Sequence, residues 1–103
     1  MDGWKLLMRA GKTREDGLKF SYIRKYYICE AADKALIVRV FKTETEKYVE
    51  LEDVLYQKKY KYVTKTLKKA NHIAQILMRN QFSFNEVIDK MDHAHYYFDS
   101  LEV

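Results

Sequence analysis

The stretch Tyr56–Asn80, YQKKYKYVTKTLKKANHIAQILMRN, decides how this chain is read. Its apolar residues Tyr56, Tyr60, Val63, Leu67, Ala70, Ala74 and Leu77 recur at alternating spacings of four and three. That is the period of one helix face, and on a helical wheel all seven fall within about 60° of Val63. The spacing predicts one amphipathic helix over residues 55–80. Its opposite side collects Lys58, Lys61, Lys65, Lys68, His72 and Arg79 within about 40°, with Lys69 at the margin.

Charge in this window is one-sided. Between Val54 and Asn85 there are six lysines and one arginine and no Asp or Glu. Lysines three or four apart on a helix repel, at a few tenths of a kcal/mol per pair. An anionic partner would relieve that repulsion and release counterions on binding. A solvated face is the plain alternative for a charge run. Residues 1–53 are nearly balanced, with 11 basic and 10 acidic residues, and residues 86–103 hold one lysine against five acids. The acids Glu86, Asp89, Asp92 and Asp99 are a further expected source of counter-charge for the basic face.

Downstream of the helix, Ser83 and Glu86 have the spacing of a capping box, and Phe82 with Val87 that of a hydrophobic staple. A second helix over 83–100 follows, with Phe84, Val87, Ile88, Met91, His95 and Phe98 on its apolar face. Upstream the pattern is that of strands. Ala35–Lys42, ALIVRVFK, is the most strand-like run. Trp4–Ala10, Leu18–Ala31 and a short edge strand at Lys47–Leu51 complete a meander, with turns at 11–17, 32–34 and 43–46. Within Leu18–Ala31, strand alternation places Phe20, Tyr22, Arg24, Tyr26 and Ile28 on one face. Aromatics beside a cation form a stacking platform for single-stranded nucleic acid, and they equally suit a sheet packed against helices.

Composition fits one globular domain. The 103 residues are 48% apolar and 33% charged, with a net charge of +4. The longest apolar runs fall short of the roughly 18 residues that span a bilayer, so no membrane partner is expected. Cys29 is the only cysteine, which rules out an internal disulfide and makes a reducing, cytoplasmic location the expectation.

Catalytic and metal chemistry find little support. His93 and His95 are two apart, so on a helix they point about 160° away from each other and cannot share a metal. A lone Cys29 in a strand reads as a small buried side chain. There is no Gly-rich phosphate loop and no nucleophile elbow.

The expected architecture is α+β: an N-terminal antiparallel sheet of three to four strands, then an antiparallel α-hairpin packed on one face. The expected function is a non-enzymatic, cofactor-free binding module. Its partner would be a nucleic-acid backbone met by Lys58, Lys61, Lys65, Lys68, Lys69, His72 and Arg79, with Arg24 and Tyr22 extending the patch. The alternative is a small inhibitor or adaptor, of the kind phages and mobile elements encode, docked on an acidic protein surface. Self-association into a homodimer through Tyr96, Tyr97 or Val103 is compatible with either.

Overall fold

A computed structural model of the chain describes the backbone of residues 5–9, 20–31, 34–79 and 82–103, and side chains from residue 34 onward within those ranges. Five strands form one antiparallel sheet in sequence order: β1 (Lys5–Arg9), β2 (Phe20–Ala31), β3 (Lys34–Thr43), β4 (Lys47–Asp53) and β5 (Lys58–Thr64). Helices α1 (Leu67–Arg79), α2 (Phe84–Asp92) and α3 (Ala94–Phe98) follow. The architecture is α+β, with the helical layer on one face of the sheet.

The inner face is set by alternation. Leu36, Val38 and Val40 of β3 pair across to Asp53, Leu51 and Val49 of β4, and Tyr60 and Tyr62 of β5 continue the same rows. Leu36, Val38, Val40, Val49 and Leu51 are wholly buried. From the helices, Ala70, Ile73, Ala74 and Leu77 of α1 meet them, with Phe84, Val87 and Met91 of α2 and Ala94 and Phe98 of α3. Alanines at 70 and 74 let α1 approach the sheet closely.

The predicted helix over 55–80 is corrected. Its second half is α1, but its first half is a hairpin turn and β5. The four-and-three spacing of Tyr56, Tyr60 and Val63 is coincidental. Tyr60 and Tyr62 face the helices, whereas Val63 lies 47% exposed on the other side. Strand pairing wins for two reasons. Tyr, Val and Thr favour a pleated surface, and the sheet gives the lysines counter-charges that a helix would not. Lys59 and Lys61 stand opposite Glu52 and Glu50 in register. The sheet therefore has five strands, and β4, expected at the edge, is interior.

Two further expectations shift. The helix expected over 83–100 breaks at His93, whose backbone leaves the helical region (φ −114°, ψ 39°). The capping box itself is present: Ser83 Oγ accepts from Glu86 N–H at 3.2 Å, and Glu86 Oε1 accepts from Ser83 N–H at 2.9 Å. These bonds hold the Glu86 carboxyl below its ordinary range. Strand β2 also does not keep one face. A register shift between Tyr22 and Arg24 places Phe20 and Tyr22 opposite Thr43 and Phe41, on outer-face rows. Arg24, Tyr26 and Ile28 fall opposite Val40, Val38 and Leu36, on helix-side rows. The expected 11–17 turn and Ala32–Asp33 lie outside the described residues.

Candidate nucleic-acid interface

The predicted basic residues divide among three elements. Lys58 and Lys61 are on β5, Lys65 is in the connection to α1, and Lys68, Lys69, His72 and Arg79 are on α1. They do not form one helical stripe. Lys68, His72 and Arg79 still share a side of α1 within about 40°, but Arg79 lies 11 residues beyond Lys68, roughly 16 Å along the axis. Arg24 and Tyr22 are on β2, and the register shift assigns them to opposite faces.

Counter-charge sorts these cations. On the outer face of the sheet, Arg39 Nη1 lies 2.7 Å from Glu52 Oε1 and 4.0 Å from Glu50 Oε1. Lys59 Nζ is 3.5 Å from Glu50 Oε1, and Lys61 Nζ is 2.8 Å from Glu46 Oε1. Glu50 Oε1 is buried and makes no hydrogen bond, so Lys59 and Arg39 hold it by charge alone. The carboxylates missing from the 54–85 window are thus supplied by β4 and the turn before it. The E-x-E of Glu50 and Glu52 against the K-x-K of Lys59 and Lys61 is the signal that would have revealed β5.

The other cations have no such partner among the described residues. Lys58 sits over the ring of Tyr60, 5.0 Å from its centroid. Lys65 and Lys68 are exposed. Lys69 is half-buried, and its charge helps hold the Asp99 carboxyl below the ordinary range, after the larger effect of the Tyr62 hydroxyl. Asp89 of α2 and Asp99 after α3 are otherwise engaged by nearer side chains. Asp99 accepts from Tyr62 Oη at 2.7 Å and lies 3.1 Å from His95 Nδ1, while Asp89 lies 3.1 Å from His93 Nδ1 and accepts from Tyr97 Oη. His95, expected on the buried stripe, is exposed, with its side chain 85% accessible.

The N-terminus of α1 is built for rigidity. Thr66 Oγ1 accepts the Lys69 N–H at 3.1 Å. Thr64 Oγ1 bonds the carbonyls of Thr66 (2.8 Å) and Lys47 (3.1 Å), which ties the connection to β4. No acid occupies the first turn of α1. The first-turn amides lack intrahelical carbonyl partners, that of Lys69 being capped by Thr66 Oγ1, and the helix dipole is positive there. Lys68 and Lys69 add charge of the same sign, which costs roughly 0.3–1 kcal/mol each. Lys42 and Lys47 belong to this end of the sheet too, paired in register with each other and, through Lys47, with Thr64. Sequence alone does not single them out, because only the register brings them there.

Aromatic side chains on the open face are largely occupied. Phe41 is buried and stacks on Tyr48 with centroids 4.9 Å apart. Lys61 Nζ lies 4.3 Å from the Tyr48 centroid. Burial pushes the Tyr48 hydroxyl above its ordinary value. Exposed apolar side chains among the described residues are Val63 on this face, Tyr96, Tyr97 and Val103 near the C-terminal end, and three in a row, Val54, Leu55 and Tyr56, in the β4–β5 turn.

Among the described residues no group of three or more His, Cys, Asp or Glu is placed to hold a metal. Among the same residues no helix is long and apolar enough to cross a membrane. No family model, curated protein or solved structure matches this chain.

Proposed function

We propose that this domain is a non-enzymatic module that holds nucleic acid through its backbone, without reading sequence. One observation carries the reading: Lys65 and Lys68 have no counter-charge among the described residues at the positive end of α1, where the helix dipole opposes them. A chain selected only for stability would place acids there. Phosphate is the ligand that both the lysines and the positive end of the helix dipole favour. Lys58, at the far end of β5 beside the Tyr60 ring, would extend this corner into a track about 23 Å long along the sheet edge, taking seven residues at strand rise. Arg79 and His72 lie off it on α1.

The test is a salt titration of binding to generic single-stranded and duplex DNA. About four phosphate contacts give a log–log slope near −3 for single strands and nearer −4 for duplex. Changing Lys58, Lys65 and Lys68 to Gln should flatten the slope by about two or more. The same change at Lys59 and Lys61 should alter it less, since those charges already face Glu50 and Glu46. Absence of binding to any nucleic acid at low salt would refute the reading and assign the same cations to an acidic protein surface.

A further inference from the structure

The turn joining β4 to β5 breaks the rules for a hairpin tip. Residues 54–57 read VLYQ, with no Gly, Asn, Asp or Pro among them. Val54 is 41% exposed, Leu55 44% and Tyr56 75%. Gln57 is held in the left-handed region at φ 53°, a position that Gly or Asn occupies at lower cost. Yet the turn is firmly built. Val54 N–H donates to Ala35 O at 3.1 Å, and Tyr56 N–H is 3.5 Å from Oδ1 of Asp53, itself only 5% exposed. Three adjacent apolar side chains are thus presented to solvent on a preorganised support. Local rule-breaking that the surroundings enforce is characteristic of a contact site.

We infer that this tip is a base-stacking element, with Tyr56 as its platform, and that the domain's preferred partner is unpaired nucleic acid. The inference rests on the phosphate-binding reading above and names its substrate class. Lys58 follows the tip directly, so the aromatic residue stands at the head of the strand that carries the track. A polymer lying along β5 meets both: phosphates at Lys58, Lys65 and Lys68, and a base at Tyr56. A membrane surface does not. With the tip inserted, the strand would run away from the lipid plane. Lys65 would then stand roughly 20 Å off, well beyond the Debye length of about 8 Å at physiological salt. A second copy docked tip to tip would bring Lys58 against its own kind. Duplex is the poorer nucleic-acid ligand, because stacking there first requires a base step to be opened.

The experiment uses the full chain and dye-labelled oligonucleotides, a 15-mer of dT and a duplex of equal length, at several salt concentrations. Anionic vesicles form a parallel arm. Wild type should favour the single strand. Tyr56→Ala should weaken that binding by about tenfold or more, as loss of one base stack does, with the salt slope unchanged. Tyr56→Phe should retain it. Circular dichroism checks that each variant is folded. Equal binding by Tyr56→Ala and wild type overturns the stacking role and leaves the phosphate track standing. Absence of nucleic-acid binding by wild type overturns both. Vesicle binding that Tyr56→Ala abolishes overturns the inference and makes the tip a membrane contact.

Discussion

Replacing Tyr62 with Phe isolates one hydroxyl that joins the last helix to the edge of the sheet. The Tyr62 ring is 4% exposed and packs against His95 edge-on at 5.3 Å and against Phe98 at 5.9 Å. Phe preserves that packing. What is lost is the 2.7 Å bond from Tyr62 Oη to Asp99 Oδ1. A hydrogen bond to a charged acceptor contributes about 1.5–3 kcal/mol. The Asp99 side chain is 59% accessible and rehydrates in the variant, which keeps the cost near the lower end, about 1–1.5 kcal/mol. At roughly 4–8 °C per kcal/mol for a domain of this size, the melting temperature at pH 7 should fall by about 4–12 °C.

The same bond predicts how that deficit varies with pH. Burial, and then the bond to Asp99 with its negative charge, push the Tyr62 hydroxyl up to about 12. The unfolded chain releases this proton near pH 10. Between those values the folded state binds more protons than the unfolded one, so the contribution is intact below pH 10 and lost as pH rises toward 12. An offset of this size is worth at most about 2.7 kcal/mol, and the exposure of Asp99 screens it to on the order of 1–2. Urea denaturation of both proteins from pH 7 to 11.5 should therefore show the wild-type advantage shrinking above pH 10. Absorbance titration at 295 nm should show one late-ionising tyrosine missing from the variant. A variant as stable as wild type at pH 7, or a deficit constant through pH 11.5, would refute the role given to this hydroxyl. At the acid end the sign reverses. Asp99 is held low chiefly by Tyr62, so its contribution is present above its ordinary range and lost as pH falls.

Other substitutions check other parts of the fold. Leu51→Ala removes a fully buried side chain beneath the helices and should cost about 3–4 kcal/mol in chemical denaturation, a large fraction of a small domain's stability. Gln57→Gly relieves the left-handed backbone and should stabilise by up to about 1 kcal/mol, read as a higher urea midpoint at unchanged slope. Arg39→Met leaves Glu50 and Glu52 without their shared guanidinium and should cost about 1–3 kcal/mol, read as a lower urea midpoint. The Gln set at Lys58, Lys65 and Lys68 should leave the melting temperature unchanged or raised, since it removes cations that oppose the α1 dipole.

The sequence is most legible where local chemistry and tertiary packing agree. ALIVRVFK alternates cleanly, and the structure makes it β3. Ser83 and Glu86 cap α2 through bonds that depend on neither sheet nor partner. Reading fails where the decisive partner lies outside the window. The Tyr56–Thr64 segment carries a helix-period coincidence, and its lysines look uncompensated because Glu46, Glu50 and Glu52 precede them in the chain. The turn that should have announced a hairpin has no turn residues, so nothing in VLYQ separates β4 from β5. The break at His93 likewise has no Gly or Pro to signal it.

The candidate site was legible in its residue types and not in its arrangement. Lysine is common on an edge strand for a reason unrelated to ligands, since it blocks pairing with other sheets, and β5 is such an edge. That role accounts for Lys59 and Lys61 once their carboxylates are counted. It does not account for Lys65 and Lys68, which guard no strand and face a helix dipole of their own sign. Nor does it account for Tyr56, which exposes an aromatic ring beside the edge that the lysines protect. Tyr56, Lys58, Lys65 and Lys68 lie in sequence along one path, from the hairpin tip through β5 to the first turn of α1, while Arg79 and the exposed Tyr96 lie off it. A solvated charge run would have no reason to end in an aromatic tip at one end and a helix dipole without an acid at the other.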